Sequence, residues 1–167
     1  MHSDVELNEI GILKRREIEV RILAPVLEAL GQEFGRDKVL EITRKAIISI
    51  AHRQGRELAT HLGKNDLSSF GSSLESWSKD GALELRVVNE SQNTLDFDVT
   101  DCRYADLYRS LGLEELGSIL SCSRDAAFAE GFNEDMTLTR TRTIMQGASS
   151  CDFRFKTASD GTGTPPS

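Results

Sequence analysis

The chain has 167 residues, 38% hydrophobic and 28% charged, a composition typical of a globular domain rather than a disordered or fibrous protein. Its 20 Lys and Arg residues against 27 Asp and Glu residues give a formal net charge of −7, so the overall charge does not favour binding to nucleic acid or to an anionic membrane. Three cysteines, an odd number, exclude a framework of paired disulfides.

The N-terminal segment, MHSDVELNEIGILKRREIEV, lacks the basic start and the apolar run of a secretory signal. No stretch of the chain approaches the roughly 20 apolar residues that a membrane span needs. We therefore expect a cytoplasmic protein with no membrane partner, whose cysteines stay reduced. The sequence leaves the oligomeric state open, including a homo-oligomer.

The first half of the chain has helical periodicity. Apolar residues recur near helical spacing from Val5 to Phe34, and we expect Pro25 to end or kink this first helix. Residues 36–62 are predicted to form a second helix, and Asp66 is expected to cap a third, shorter one. The predicted buried stripe of the second helix consists of Val39, Ile42, Ala46, Ile47, Ile50 and Leu58.

The second half of the chain changes to strand-like alternation. Residues 83–87 and 95–100 are predicted to form a β-hairpin, and residues 104–130 a helical segment interrupted near Gly112 and Gly117. The β-branched alternation of residues 137–144 predicts a third strand, and residues 151–156 a last short one.

Helices followed by strands indicate an α+β fold. We expect the N-terminal helices to pack on a roughly four-stranded antiparallel sheet, with the helical segment inserted between the strands. Residues 1–156 would form a single domain. Residues 157–167, which are poor in apolar side chains, would form a disordered tail.

Side chains able to carry out chemistry are concentrated in the C-terminal half. Cys122 and Asp125 are three residues apart in a predicted helix and therefore share a face. Cys151 and Asp152 open the last predicted strand, but alternation turns them to opposite faces unless the strand bulges. Arg140 precedes them in the third predicted strand.

Each of these groups has a purely structural alternative. A lone cysteine is commonly a small buried hydrophobic residue. Asp125 would then simply pair with Arg124 or Arg140. The arginines of the third predicted strand would face Asp96 and Asp98 across the sheet.

Two functional interpretations of the thiols remain. Cys102, Cys122 and Cys151 could hold a zinc ion together with a carboxylate or histidine, although their spacings of 20 and 29 residues contain no C-x-x-C pair. Alternatively, one cysteine is a nucleophile, activated by a nearby base and by the positive charge of neighbouring arginines.

Three ordered motifs carry the three thiols: residues 97–108 (FDVTDCRYADLY), 111–125 (LGLEELGSILSCSRD) and 138–155 (LTRTRTIMQGASSCDFRF). Together they resemble the L-2-amino-thiazoline-4-carboxylic acid hydrolase family. In the third motif the positions that match the family are Arg140, Thr143, Gly147, Cys151, Asp152 and Phe153.

The resemblance implies a small cytoplasmic hydrolase, found among bacterial proteins, that needs no cofactor. It would open a carbon–nitrogen bond of a small cyclic amidine that bears a carboxylate, giving a carbamoyl-cysteine on the way to L-cysteine. Cys151 is our candidate nucleophile and Cys122 the second candidate, while Asp125 or Asp152 would transfer protons.

The resemblance also suggests which residues bind the substrate. Arg140 would clamp the substrate carboxylate through paired hydrogen bonds, with Thr143 and Cys102 completing the pocket. The alternative class is a non-catalytic module that binds a small molecule or a metal with the same Cys, Asp and Arg residues.

Overall fold

A computed structural model describes residues 2–158 of the chain. Within this range the elements follow the predicted order, helices first and strands later, which confirms the α+β class. The α-helices are α1 (Asp4–Leu7), α2 (Ile12–Phe34), α3 (Arg36–Leu62), α4 (Leu67–Ser72), α5 (Leu74–Ser78), α6 (Arg103–Ser110), α7 (Glu114–Gly117) and α8 (Arg124–Phe132). The strands are β1 (Leu83–Glu90), β2 (Thr94–Cys102), β3 (Met136–Thr139) and β4 (Cys151–Thr157).

The four strands form one antiparallel sheet in the order β1-β2-β4-β3. The predicted hairpin and the predicted last strand are both present, and the C-terminal strand lies between β2 and β3. Phe97 and Phe153 are opposite each other and stack with ring centroids 4.9 Å apart. Alternation thus gives the sheet one aromatic face, and the helices cover it.

The aromatic face continues into a cluster that joins the sheet to the helices. Phe70 of α4 is fully buried. Its ring centroid lies 4.9 Å from that of Phe155, 5.4 Å from that of Phe132 and 5.9 Å from that of Trp77. Tilted and edge-to-face contacts of this kind add specific geometry to the burial of apolar surface.

Helices α3 and α8 approach each other backbone to backbone. A β-carbon placed on Gly55 would lie 2.1 Å from the carbonyl oxygen of Phe128, and one placed on Gly131 would lie 2.0 Å from the carbonyl oxygen of His52. Only glycine fits at these two positions without moving a helix. This close contact fixes the position of α8 against α3.

The other face of the sheet is polar. Asp98 accepts hydrogen bonds of 2.8 Å from both Arg86 and Arg154, and these two guanidinium groups lower the pKa of its carboxyl group. The structural alternative in which Arg140 and Arg142 pair with the strand aspartates is therefore wrong for Asp98.

The first long helix does not end at Pro25. Helix α2 continues through this residue to Phe34. The proline is exposed, and its missing N–H removes only one backbone hydrogen bond. Packing of α2 against α3 stabilises the helix on both sides of the proline.

The buried stripe of α3 differs from the predicted one. Ile42 is 58% exposed and Ala46 is also exposed, whereas Ile47, Ala51 and Gly55 are buried. These three positions are spaced four residues apart and face α8. The backbone of α8 comes so close to Gly55 that no side chain fits there. On α2, the apolar residues Ile18, Ile22, Val26 and Leu30 are 40–63% exposed.

Two further predictions need correction. Strand β3 ends at Thr139, so residues 140–143 form a loop, followed by a 3-10 turn at Ile144–Gln146. The inserted helical segment is interrupted at Gly112, where φ is +67°, but at Gly117 it continues into a π-helical turn at Ser118–Cys122.

The predicted tail of residues 157–167 lies largely outside the described residues. Thr157 is the last residue of β4, and the structure describes nothing beyond residue 158. In residues 2–158, no helix combines the length and the hydropathy needed to cross a bilayer.

Candidate functional site

All three cysteines line one cavity of about 360 Å³. It lies between the aromatic face of the sheet and helices from both halves of the chain, and its size suits a small organic molecule. Its apolar wall is formed by Leu58, Trp77, Val99, Phe128, Met145 and Phe153. The convergence of the three family-like motifs is a result of the tertiary fold.

Each cysteine occupies the end of an element. Cys102 is the last residue of β2 and caps the N-terminus of α6, Cys122 closes the π-helical turn, and Cys151 is the first residue of β4. All three thiols are free. Because each cysteine lies at the end of its element, the three side chains meet at the same cavity.

Cys151 has the surroundings best suited to forming a thiolate. Its sulfur accepts a hydrogen bond from the backbone N–H of Ile144, with N and Sγ 3.2 Å apart. Burial raises the pKa of the thiol, while this N–H and the charge of Arg140 act in the opposite direction. Cys151 is 6% exposed, so a reacting molecule would meet it inside the cavity.

The other two thiols are harder to ionise. Burial raises the pKa of Cys102 to about 11, although N–H groups at the start of α6 oppose the shift. Burial raises the pKa of Cys122 to about 12, and the neighbouring Asp125 adds to the shift. All three thiols are thus protonated at neutral pH, and a nucleophilic role needs a base or a bound ligand to assist proton removal.

Asp125 and Arg140 form an ion pair on the cavity wall. One guanidinium nitrogen of Arg140 donates to the Asp125 carboxylate, and the other donates to the carbonyl oxygen of Cys122 at 2.9 Å. The guanidinium carbon also lies 5.0 Å from the ring centroid of Phe153. Burial raises the pKa of Asp125 despite the opposing charge of Arg140. The ion pair between Asp125 and Arg140 that the sequence suggested is present. It engages the guanidinium group that the sequence analysis assigned to the substrate carboxylate.

Asp152 faces away from the cavity, as strand alternation predicts. Its carboxylate accepts hydrogen bonds from the backbone N–H groups of Thr141 at 3.0 Å and Arg142 at 2.8 Å, and from the Thr141 hydroxyl at 2.6 Å. These bonds outweigh the effect of burial and lower its pKa to about 2. Asp152 therefore holds the loop that carries Arg140.

Thr143 is also outside the cavity. Its hydroxyl accepts a hydrogen bond of 3.3 Å from the backbone N–H of Gln146 and so caps the 3-10 turn. That turn presents the Ile144 N–H to Cys151. Of the seven candidate residues, the structure brings Cys102, Cys122, Asp125, Arg140 and Cys151 together and leaves Asp152 and Thr143 behind them.

Sequence reasoning missed several polar residues that line the cavity. Arg16 is buried in α2, four residues before the fully buried Val20, so its place on an apolar stripe was an available signal. Arg124 was considered only as a partner for Asp125. The other missed residues include Asp4, Asn8, Gln54, Glu57, His61 and Tyr104.

The geometry does not fit a metal centre. Among residues 2–158, no three His, Cys, Asp or Glu side chains lie close enough together to bind one metal ion. The three thiols face a shared cavity but not a shared coordination point. We therefore derive no step through zinc.

Residues 15–155 match the L-2-amino-thiazoline-4-carboxylic acid hydrolase family. The chain belongs to this family. The match includes all three cysteine motifs. No curated protein matches the chain.

Two solved structures are similar to this chain at low sequence identity. One is a trafficking protein particle complex subunit 3 from Naegleria fowleri covalently bound to palmitic acid. It is 12% identical, with a TM-score of 0.50, over 85% of this chain and 96% of that one. The other is the phenol-responsive sensory domain of the transcription activator PoxR with phenol. It is 14% identical, with a TM-score of 0.48, over 81% of this chain and 73% of that one.

Proposed function

We propose that this member of the family is a hydrolase that opens a small cyclic amidine, with Cys151 as the nucleophile. The observation that carries the proposal is the hydrogen bond from the Ile144 N–H to the Cys151 sulfur at a cavity wall that also holds Asp125 and Arg140. This wall combines a thiol, a carboxyl group able to transfer protons and a positive charge within one cavity.

In the first step, the Cys151 sulfur adds to the amidine carbon of 2-amino-thiazoline-4-carboxylate, and the thiol proton moves to the ring nitrogen. The ring carbon–nitrogen bond then breaks, and that nitrogen leaves as an amine after taking a second proton. Asp125 is the proposed donor of this proton, because it lies on the cavity wall and burial raises the pKa of its carboxyl group above the ordinary 3.8.

In the second step, water attacks the same carbon, which is now bonded to the sulfur of Cys151. The carbon–sulfur bond to Cys151 breaks, the thiol regains a proton and Asp125 regains the other. The net reaction adds one water molecule and releases a carbamoyl-cysteine with a free amine. Arg140 orients Asp125 throughout and opposes the raised pKa of Cys151.

The test is incubation of the purified protein with L-2-amino-thiazoline-4-carboxylate, with the free amine and the carbamoyl product measured by mass spectrometry. We expect ring opening by the wild type and its loss in Cys151→Ser, with unchanged circular dichroism. Val88→Ala, at an exposed position of β1, is the control that should retain the wild-type rate. Undiminished turnover by Cys151→Ser would remove this cysteine from the mechanism.

A specific observation favours the alternative of a non-catalytic binding module. All three thiols have raised pKa values, with Cys102 at about 11 and Cys122 at about 12. A cavity whose thiols stay neutral can bind a small molecule without reacting with it. Binding of a cyclic amidine without ring opening, measured by calorimetry alongside the mass-spectrometric assay, would support this alternative and contradict the hydrolase.

A further inference from the structure

We infer that Arg124 forms an anion-binding subsite in the cavity and that it binds the carboxylate group of a small organic ligand. The inference rests on the proposed function in one respect, namely that the cavity receives a small molecule. It assigns recognition of the ligand's carboxylate group to a residue other than Arg140.

The ion pairs around the cavity leave one guanidinium without a carboxylate partner. Three arginines line the cavity: Arg16, Arg124 and Arg140. Arg140 pairs with Asp125, and Arg16 pairs with Glu19. Among residues 2–158, no carboxylate oxygen lies within 4.0 Å of Arg124, whose recorded side-chain partner is the amide oxygen of Gln54.

Burial makes this unpaired charge unusual. Arg124 is 8% exposed. Burial lowers the pKa of its guanidinium to about 10, and the nearby charge of Arg16 adds to the effect, yet the group remains charged at neutral pH. Buried charges in proteins are normally paired, because an unpaired one loses its hydration without compensation. A ligand anion would supply the missing partner.

The nearby carboxylates are already engaged. Glu19 accepts hydrogen bonds from Arg15 at 3.0 Å and from Arg16, and Asp125 accepts one from Arg140. The two other carboxylates that line the cavity also have arginine partners: Asp4 pairs with Arg15, and Glu57 lies 3.6 Å from Arg53. Five N–H donors in a planar fork suit a carboxylate, which accepts two parallel hydrogen bonds.

The rest of the cavity restricts the ligand class. About 360 Å³ with walls of Leu58, Trp77, Phe128 and Phe153 suits a compact ring or short chain. The thiols and the Asp125–Arg140 pair face the same space. We therefore infer a small, mostly apolar monocarboxylate that bears a reactive or polar ring.

The experiment compares acids with their neutral counterparts by isothermal titration calorimetry. The probe pairs are L-2-amino-thiazoline-4-carboxylate with 2-amino-2-thiazoline, and benzoate with benzamide. We expect at least one acid to bind the wild type about 10-fold or more tightly than its neutral counterpart, since charge-assisted hydrogen bonds exceed neutral ones. Equal binding of acid and neutral probes, or no binding of either acid, would overturn the subsite.

Variants then assign the preference to the residue. Arg124→Met keeps the length of the side chain without its charge and should lose the preference for acids, while Arg124→Lys should keep part of it. The matched control is Arg44→Met, because Arg44 hydrogen-bonds the Ser123 hydroxyl at 2.8 Å but does not line the cavity. A full preference in Arg124→Met, or its loss in Arg44→Met, would contradict the assignment.

The subsite and the hydrolase can fail separately. A preference for acids in wild type and in Cys151→Ser, with no ring opening by either, would leave the subsite and remove the hydrolase. Equal turnover of the thiazoline with and without its carboxylate would leave the hydrolase and remove the subsite. Should Arg124→Met prove unfolded by circular dichroism, the wild-type comparison and Arg124→Lys still decide the question.

Discussion

A β-carbon on Gly131 would lie 2.0 Å from the carbonyl oxygen of His52, so α8 packs against the backbone of α3. This contact places the first residues of α8, Arg124 and Asp125, at the cavity. A glycine pair thereby controls the position of two charged groups that the proposed chemistry needs.

We expect Gly131→Ala to destabilise the protein by about 3 kcal/mol or more, because the added methyl group meets backbone atoms that can move only with the helix. Denaturant unfolding measures this. Gly71→Ala is the control: its β-carbon would lie 3.4 Å from a side-chain carbon of Leu95, and alanine favours the helix, so a change within about 1 kcal/mol is expected. Equal losses in the two variants would show that α3 and α8 are not in this close contact.

The Asp125–Arg140 pair should behave as a coupled unit in stability. Arg140→Met leaves a buried carboxylate without its cation, and we expect a loss on the order of 3 kcal/mol in unfolding free energy. Asp125→Asn combined with Arg140→Met should lose less than the sum of the single changes. A double-mutant cycle by urea denaturation measures the coupling. Additive losses would indicate that the pair does not form in solution.

The thiols should alkylate slowly at neutral pH. Because burial raises the pKa values of Cys102 to about 11 and of Cys122 to about 12, iodoacetamide should modify them far more slowly in the folded protein than in denaturant. The rate should rise with pH above 9, and Cys122 should be the slowest of the three. Mass spectrometry of tryptic peptides reports each cysteine. Rapid modification of Cys122 at neutral pH would contradict its raised pKa.

Asp152 should contribute to stability against acid. Its pKa is about 2 in the folded protein, below its ordinary value of 3.8, so its contribution is complete above 3.8 and is lost as the pH falls through about 2. We expect Thr141→Val to reduce this pH dependence by removing one donor. Thr139→Val, at an exposed position of β3, should leave it unchanged. Urea denaturation at several pH values between 2 and 5 measures the difference, and identical profiles for wild type and Thr141→Val would contradict the role of this hydrogen bond.

Local sequence patterns predicted the elements whose partners are close in the chain. The hairpin of β1 and β2 follows from alternation on either side of a short polar turn, and Asp66 caps α4 with a 2.8 Å bond to the Ser69 N–H. The pattern also predicted that Cys151 and Asp152 point to opposite faces of the sheet, because a strand turns successive side chains to opposite faces. Only Cys151 lines the cavity.

The prediction of a strand over residues 137–144 failed through a contact with a distant residue. The alternating threonines favour a strand. However, the Asp152 carboxylate accepts hydrogen bonds from the backbone N–H groups of Thr141 and Arg142, which would otherwise be free to extend the strand pairing beyond Thr139. The third strand therefore stops and a loop carries Arg140 to the cavity.

By itself the sequence determined the α+β class, the family and the three cysteine motifs, because these depend on residue order and local periodicity. The tertiary structure decided which charges meet: it paired Asp125 with Arg140, removed Asp152 and Thr143 from the cavity and brought Arg16 and Arg124 into it. The cavity wall brings together residues that are far apart in the chain, such as Arg16 and Arg124, which are 108 positions apart. Helix packing fixes them, through contacts such as Gly55 and Gly131 that no local pattern reveals.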